Sequence, residues 1–140
     1  MNPKQRHFAR RMIMQALYEK EVSNNDNQVI IAGFLIENGS FKFDRSYFQT
    51  GFIEITENLS QIDDLYGQFV DRKDEDLDLV SKCILRLGTY ELKFKLDVPY
   101  KVVINESVNL AKSFAGEDSY KFVNATLDKV AKEVRKTELS

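Results

Sequence analysis

The sequence predicts an all-α protein, and three observations support this fold class. The two prolines, Pro3 and Pro99, leave a long middle stretch without the residue that most strongly breaks helices. No window shows the sustained alternation of apolar and polar residues that a half-buried strand requires. Apolar residues instead recur at spacings of three and four, as they do on the buried face of a helix. These patterns favour a compact bundle of helices over any sheet.

Length and composition restrict the class of protein further. With 140 residues, of which 43% are hydrophobic and 30% charged, the chain is predicted to be a single soluble globular domain, residues 1–140. No apolar run is long enough to cross a bilayer, and the charged N-terminus lacks the apolar core of a signal peptide. We therefore expect a cytoplasmic protein without a membrane partner.

A single cysteine and a single histidine limit the possible chemistry. Cys83 lies in an apolar helical pattern and is predicted to be a core residue, while His7 has no second imidazole or thiolate with which to share a metal. We expect no disulfide, metal, cofactor, small-molecule substrate or catalytic residue, and hence no enzyme. The balance of 20 basic and 22 acidic residues means that any nucleic-acid binding must come from local charge.

The first two helices are predicted from start and stop signals. Pro3 can begin a helix that runs to about Val22, and the polar cluster at 23–27 ends it. The short apolar segment 29–36 is bounded by Asn38 and can be read as a buried strand. Its short polar flanks and helical neighbours favour a helix instead.

The longest regular pattern predicts one helix of about six turns. Possible caps at Asp44 and Ser46 precede it. Its apolar residues step alternately by four and three and form one seam, which consists of Phe48, Phe52, Ile55, Leu59, Ile62, Tyr66 and Phe69. Core packing explains most of this seam. Phe69 remains a candidate functional residue, because it lies at the end of the seam, close to Arg72 and Lys73.

The charged run 71–76 is predicted to be a solvated junction before the next helix. Asp76 is the expected cap, and the helix runs from Leu77 to about Leu96. Pro99 then biases the residue before it away from helical geometry, so that a new helix can begin just after it.

A very tight turn is predicted to separate the last two helices. Gly116 can close the first of them in the left-handed conformation. Glu117, Asp118 and Ser119 offer oxygen acceptors for the free N–H groups that begin the second. Phe122 lies about 100° round from the buried row of that second helix, so its ring can be exposed.

Basic residues crowd the start of the first helix. Lys4, Arg6, Arg10 and Arg11 lie within eight positions, together with His7. Their mutual repulsion makes sense if a polyanion neutralises them, because basic side chains gain nothing near the positive end of a helix. A solvated basic helix start is the alternative. The favoured hypothesis is binding of single-stranded RNA, with phosphates held by the basic side chains and bases stacked on exposed rings.

Three segments of the chain resemble a known family. QALY at 15–18, LRLGTYEL at 85–92 and DVPYKVVINESVNLAKSFAGEDSYKFVNATLDKV at 97–130 resemble, in order and spacing, the NusB family of bacterial transcription antitermination factors. The resemblance implies seven helices, three in an N-terminal half and four in a C-terminal half. It also implies binding of the boxA sequence of nascent ribosomal RNA together with NusE, a small-subunit ribosomal protein. The pair then helps to keep RNA polymerase from terminating.

The resemblance also implies which residues of this sequence act. The implied RNA-binding residues are Lys4, Arg6, Arg10, Asp118, Ser119, Lys121 and Phe122, with Phe69, Arg72 and Phe114 as further candidates. A plain helix cap is the alternative for Asp118 and Ser119, and burial in the core is an equal alternative for Phe114. The implied NusE-binding residues are Tyr18, Glu75, Ser81 and Lys82.

Two features depart from the family pattern. His7 and Phe8 interrupt the arginine run that is usual at the N-terminus, which predicts weak RNA affinity without the partner. Ser81 stands where the family usually has a charged residue. The alternative from a different class is a helical module that docks a protein through its apolar seam and binds no RNA. NusB-like domains also precede RNA methyltransferase domains, but no such activity is expected of a chain that ends at Ser140 without a glycine-rich cofactor loop.

Overall fold

The structure, a computed structural model, describes residues 2–70 and 77–139. These residues form eight helices and no strand, which confirms the predicted all-α class. The chain divides into two compact units, Met1–Glu57 and Asn58–Ser140. The single domain predicted from the chain's length remains a prediction.

The first unit contains three helices, α1 (Pro3–Ser23), α2 (Asn27–Glu37) and α3 (Arg45–Glu57). Asn2 caps α1, because its side-chain oxygen accepts hydrogen bonds from two backbone N–H groups of the first turn. Asn24, in the left-handed conformation with φ 55°, ends the helix inside the predicted polar cluster. The segment that could be read as a strand is helix α2, as predicted. Helix α1 packs against both α2 and α3.

The second unit contains α4 (Leu59–Gly67), α5 (Leu79–Phe94), α6 (Tyr100–Phe114), α7 (Ser119–Val134) and the short α8 (Lys136–Leu139). Helix α5 packs against α4, α6 and α7, so its residues from Cys83 to Leu92 are all buried. Cys83 is 0% exposed, which confirms its predicted place in the core. The implied arrangement of three plus four helices corresponds to α1–α3 and α4–α7, and α8 is an additional helix that was not predicted.

The prediction of one long helix through the apolar seam is wrong, because the helix is interrupted at Asn58. That residue has φ −118° and ψ 26° and separates α3 from α4. Asparagine favours such breaks, since its short polar side chain competes for backbone hydrogen bonds. The apolar spacing could not reveal the break, because Ile55, Leu59 and Ile62 continue to step by four and three. Ile55 is buried in the first unit and Ile62 in the second.

The predicted start of α5 is also corrected. Asp76 lies outside the described residues, and the capping residue is Asp78. Its carboxylate accepts from both the backbone N–H and the hydroxyl of Ser81, each at 2.8 Å. Helix α5 therefore begins at Leu79, two residues later than expected, and it ends at Phe94.

The tight turn between α6 and α7 is present, but its left-handed residue is not the glycine. Helix α6 stops because Ala115 is extended, with φ −96° and ψ 174°. Gly116 has no positive φ, whereas Asp118 takes the left-handed conformation with φ 70°. The Asp118 side chain makes no capping hydrogen bond. The prediction that this carboxylate caps α7 is therefore wrong.

Gly88 lies where α5 packs against Ser107 of α6 and Leu127 of α7, and we expect Gly88→Ala to lower the free energy of unfolding by about 2 kcal/mol. An added Cβ would lie 2.7 Å from Leu127 Cδ1 and 2.9 Å from Ser107 Oγ. Both neighbours are buried in a close-packed interior, so they have little room to move. The free-energy cost of this clash exceeds the stability that alanine gains over glycine through its higher helix propensity. Urea unfolding measures the net change.

Gly33→Ala is the matched control, because Gly33 is also within a helix but a Cβ there meets nothing within 4 Å. At this position the substitution changes only helix propensity, which is higher for alanine than for glycine. The variant should therefore be more stable than the original protein by up to about 1 kcal/mol. A similar gain for both variants would show that the crossing at Gly88 is not tightly packed.

Candidate nucleic-acid interface

The predicted basic start of α1 is partly neutralised within the first unit. Arg6 Nε lies 3.2 Å from Asp44 Oδ2, and the Arg6 guanidinium lies 3.7 Å from the centre of the Tyr47 ring. Arg10 is only 4% exposed and lies 5.9 Å from the same ring centre. The repulsion expected between the arginines is thus relieved by a carboxylate and an aromatic face. Lys4, in contrast, is exposed.

This arrangement gives Arg6 and Arg10 of α1 a structural role. Tyr47 belongs to α3, so Arg6 and Arg10 hold α3 against α1 through its ring. Arg6 retains 13% side-chain exposure, whereas Arg10 offers almost no surface. Direct contact with a ligand is therefore geometrically open to Lys4 and, at its edge, to Arg6.

A second cluster of basic and aromatic residues lies where α6 ends and α7 begins. Lys112 Nζ lies 4.9 Å and Lys121 Nζ 6.0 Å from the centre of the Tyr120 ring. Both ammonium groups are therefore within cation–π distance of one half-buried ring. Sequence reasoning missed Lys112 and Tyr120. Tyr120 could have been noticed beside Lys121, but only the fold brings Lys112 to the same ring.

Asp118, the residue just before α7, takes the left-handed backbone conformation that few residues other than glycine adopt. Its carboxylate lies 3.4 Å from Lys121 Nζ, and both side chains are more than two-thirds exposed. An exposed pair of this kind contributes little to stability. A carboxylate that neither caps the helix nor is buried remains accessible to hydrogen-bond donors of a ligand.

The remaining residues of the turn are placed as follows. Helix α7 begins at Ser119, which is half-buried and follows the cap position. The Phe122 ring is half-buried, so it is less exposed than the sequence allowed. Phe114, the last residue of α6, is 42% exposed. The alternative that buried Phe114 in the core is therefore wrong.

The other predicted site residues are scattered over several elements. Phe69 is half-buried in the turn after α4, and Arg72 and Glu75 lie outside the described residues. Tyr18 is 42% exposed on α1. Ser81 is 1% exposed and its polar groups are taken up by Asp78, so it offers no contact to a partner. Its neighbour Lys82 is half-buried.

Within residues 2–70 and 77–139 no group of three or more histidine, cysteine or acidic side chains could hold a metal ion. No helix among those same residues is sufficiently long and apolar to cross a membrane.

Comparison with known proteins identifies the family to which these helices belong. The model of the NusB family matches residues 7–132. The chain belongs to the NusB family. It is 46% identical over 138 residues to a transcription antitermination protein NusB of Colwellia psychrerythraea, covering 99% of this chain and 100% of that protein. It is also 46% identical over 136 residues to the NusB protein of Pseudoalteromonas translucida, covering 97% and 100%.

Membership of the NusB family confirms the resemblance seen in the sequence. The relatives are transcription antitermination proteins and not enzymes, which agrees with the predicted non-enzymatic role. Two solved NusB structures share the fold. One, NusB of T. maritima, has a TM-score of 0.83 and 34% identity, with 95% of each chain covered. The other comes from a complex of NusB and NusE with double-stranded RNA and has a TM-score of 0.83, 23% identity, and coverage of 94% and 99%.

Proposed function

We propose that this NusB-family protein binds the boxA sequence of nascent ribosomal RNA together with NusE, in the cytoplasm, and so keeps RNA polymerase from terminating. The family supports antitermination as the process. The solved complex of a protein with the same fold supports NusE and RNA as the partners. The proposal therefore combines a family-level function with surfaces of this particular chain.

The observation that carries the proposal is the cluster of Lys112 and Lys121 around the Tyr120 ring, with their ammonium groups 4.9 and 6.0 Å from its centre. Lysines attract phosphates, and an aromatic ring offers a face on which a base can stack. The exposed Phe114 and the half-buried Phe122 add apolar ring surface close by in sequence, at the end of α6 and the start of α7. Single-stranded RNA suits this combination, because its bases are accessible and its phosphates are regularly spaced.

Asp118 and Ser119 are proposed to supply selectivity at the same turn. A carboxylate accepts hydrogen bonds from base amino groups and from ribose hydroxyls. The side chain of Asp118 is exposed, and its present partner, Lys121, is also exposed and easily displaced. Lys4 and Arg6 on α1 and the predicted Arg72 are proposed to bind further phosphates of the same RNA, and Phe69 is proposed to stack on a base.

The proposed NusE contacts are the exposed ring of Tyr18 on α1 and the side chain of Lys82 on α5. An exposed tyrosine brings apolar area and a hydroxyl at low entropic cost, and tyrosine is enriched in protein interfaces for this reason. Ser81 is proposed to act only indirectly, by fixing the start of the helix that carries Lys82.

Fluorescence anisotropy of a labelled boxA-type RNA tests the RNA-binding part of the proposal. We expect selective binding over a scrambled RNA, stronger binding with NusE, and weaker binding as salt rises. Lys121→Ala should reduce the slope of log K against log salt by about 0.7, the value for one phosphate contact on a single strand. Tyr120→Leu should weaken binding roughly 10-fold through loss of stacking.

Lys132→Ala is the matched control for Lys121→Ala. Lys132 is an equally exposed lysine of α7, paired with Asp128, and lies about 16 Å further along the helix. Its removal should leave the salt slope unchanged. Equal and negligible binding of both RNAs even with NusE present would overturn the proposal in favour of a helical module that docks proteins alone.

A further inference from the structure

A surface cavity of about 340 Å³ lies in the first unit. Its wall is formed by Asn2, Lys4, Gln5, Phe8, Phe41 and Lys42. The volume is at the lower end of the range of about 300–1,000 Å³ found for small-ligand sites, which fits one small planar ligand with a short polar extension. Of these residues only Lys4 was recognised from the sequence as a candidate site residue.

Two phenylalanines give the cavity an aromatic wall. The rings of Phe8 and Phe41 meet edge to face, with centroids 4.8 Å apart and an interplanar angle of 80°. Phe41 is 39% exposed, although apolar rings usually bury most of their area. Its exposed area is therefore available to another flat π-system, such as a nucleobase.

The charge of the cavity is positive and uncompensated. Lys4 and Lys42 are both exposed, and within residues 2–70 and 77–139 neither has an ion-pair partner. Arg6, two residues further along α1, differs because Asp44 neutralises it. Helix α1 also starts here without an acidic residue in its first turn, so the positive end of its dipole adds to the attraction of an anion.

The segment that carries Phe41 and Lys42 is fixed before any ligand arrives. Arg45 donates hydrogen bonds to the carbonyl oxygens of Asn38, Gly39 and Phe41 at 3.1–3.4 Å. The backbone N–H of Asp44 donates to the carbonyl of Gln5 at 3.1 Å, which ties the segment to α1. A preformed wall of this kind reduces the entropy lost when a ligand binds.

We infer that this cavity binds one nucleotide of single-stranded RNA, with its base against Phe41 and its phosphate at Lys4 and Lys42. The side-chain NH2 group of Asn2, whose oxygen caps α1, can then donate to the edge of the base, and the amide of Gln5 can donate and accept. This inference rests on the proposed RNA-binding function and extends the contact proposed for Lys4 to the cavity residues around it. It assigns a role to Phe8, Phe41 and Lys42, none of which the sequence indicated.

The test compares RNA affinities of full-length variants in the presence of NusE, with the labelled boxA-type RNA and its scrambled counterpart. Phe41→Leu keeps an apolar side chain but removes the ring, and we expect roughly 10-fold weaker binding. Lys42→Ala should reduce the slope of log K against log salt by about 0.7. Lys20→Ala controls for lost charge, since Lys20 is about 24 Å from Lys4 along the same helix.

A photochemical readout separates direct contact from an indirect effect on the fold. RNA that carries 5-iodouridine at single positions should form a crosslink to Phe41 at one position, and Phe41→Leu should abolish it. If the original protein binds RNA and Tyr120→Leu weakens it, but Phe41→Leu and Lys42→Ala change neither affinity nor crosslinking, the cavity is not a nucleotide site. If the original protein binds neither RNA, the proposed function fails and the inference fails with it.

Discussion

Asp63→Ala is expected to lower the free energy of unfolding by about 3 kcal/mol, because it leaves a buried guanidinium without its carboxylate. Arg86 is 3% exposed in the core of the second unit. Its Nε lies 2.9 Å from Asp63 Oδ1 and a terminal nitrogen 3.0 Å from Oδ2, in a two-point pair. The Tyr66 hydroxyl donates to the same carboxylate at 2.9 Å, so alanine would also remove its acceptor.

Urea unfolding of Asp63→Ala, Arg86→Met, their double variant and the control Asp64→Ala distinguishes this explanation from simple loss of packing. Asp64→Ala, at the exposed neighbouring position, should change stability by no more than about 0.5 kcal/mol. The double variant Asp63→Ala, Arg86→Met should be more stable than Asp63→Ala alone, since it no longer buries an uncompensated charge. If the two substitutions are simply additive, the pair is not coupled and the explanation is wrong.

The titration of Tyr66 provides a second readout of the same pair. Burial raises the pKa of the Tyr66 phenol, and the nearby Asp63 carboxylate raises it further, while Arg86 lowers it. A raised pKa means that the neutral phenol contributes stability below its ordinary value of about 10, which is lost as the pH rises above that value. Removing the carboxylate should bring the pKa closer to its ordinary value. Phenolate absorbance, compared with Tyr66→Phe, measures the change.

Arg135→Met is expected to lower the free energy of unfolding by about 3 kcal/mol, because it removes hydrogen bonds to carbonyl groups at the buried end of α5. Arg135 is 4% exposed and donates to the carbonyl oxygens of Leu92, Glu91 and Lys95 at 2.7, 3.2 and 3.1 Å. The last carbonyls of a helix lack partners within it, and a cation there also suits the helix dipole. Methionine retains much of the apolar stem, so the loss reports mainly on the guanidinium.

Arg135→Lys is the informative comparison for this site. An ammonium group on a flexible stem cannot reproduce the planar fork that reaches three carbonyl groups, so lysine should recover less than half of the lost stability. Lys132→Met, on the exposed face of α7, should have a free energy of unfolding within about 0.5 kcal/mol of that of the original protein. Full rescue by lysine would show that only the positive charge matters.

Glu138, which contacts Arg135, makes the stability of the protein depend on pH. Its carboxylate accepts from the backbone N–H of Tyr100 at 3.0 Å and pairs with Arg135, and these two interactions lower the pKa of Glu138. A lowered pKa contributes stability above the ordinary value of 4.5, and that contribution is lost as the pH falls through the folded-state value. The contribution should be absent from Glu138→Gln in acid unfolding curves.

Local signals in the sequence predicted most of the helices correctly. Pro3, the polar cluster at 23–27 and Pro99 act on the backbone of their own neighbourhood, so their effects do not require knowledge of the fold. A one-residue interruption such as Asn58 could not be predicted in this way, because it leaves the spacing of apolar residues intact.

The candidate interface was predicted only in part, for a physical reason that its residues illustrate. The sequence shows charge and aromatic character, but not which groups neutralise each other. Arg6 meets Asp44 across 38 positions, and Arg135 meets Leu92 across 43. Phe114 proved exposed where the sequence left burial as an equal alternative, and Arg10 proved buried where contact with RNA was predicted.

The sequence by itself determined the helical class, the main helix boundaries and the NusB family, because caps, breakers and motif spacing are encoded in consecutive residues. Only the tertiary structure decided which charges remain available to a ligand. It withdrew Arg10 and Ser81 from the surface, and it brought Lys112 to Tyr120 and Phe41 to Phe8. Burial and pairing depend on residues from distant parts of the chain, so they exist only once the helices have packed.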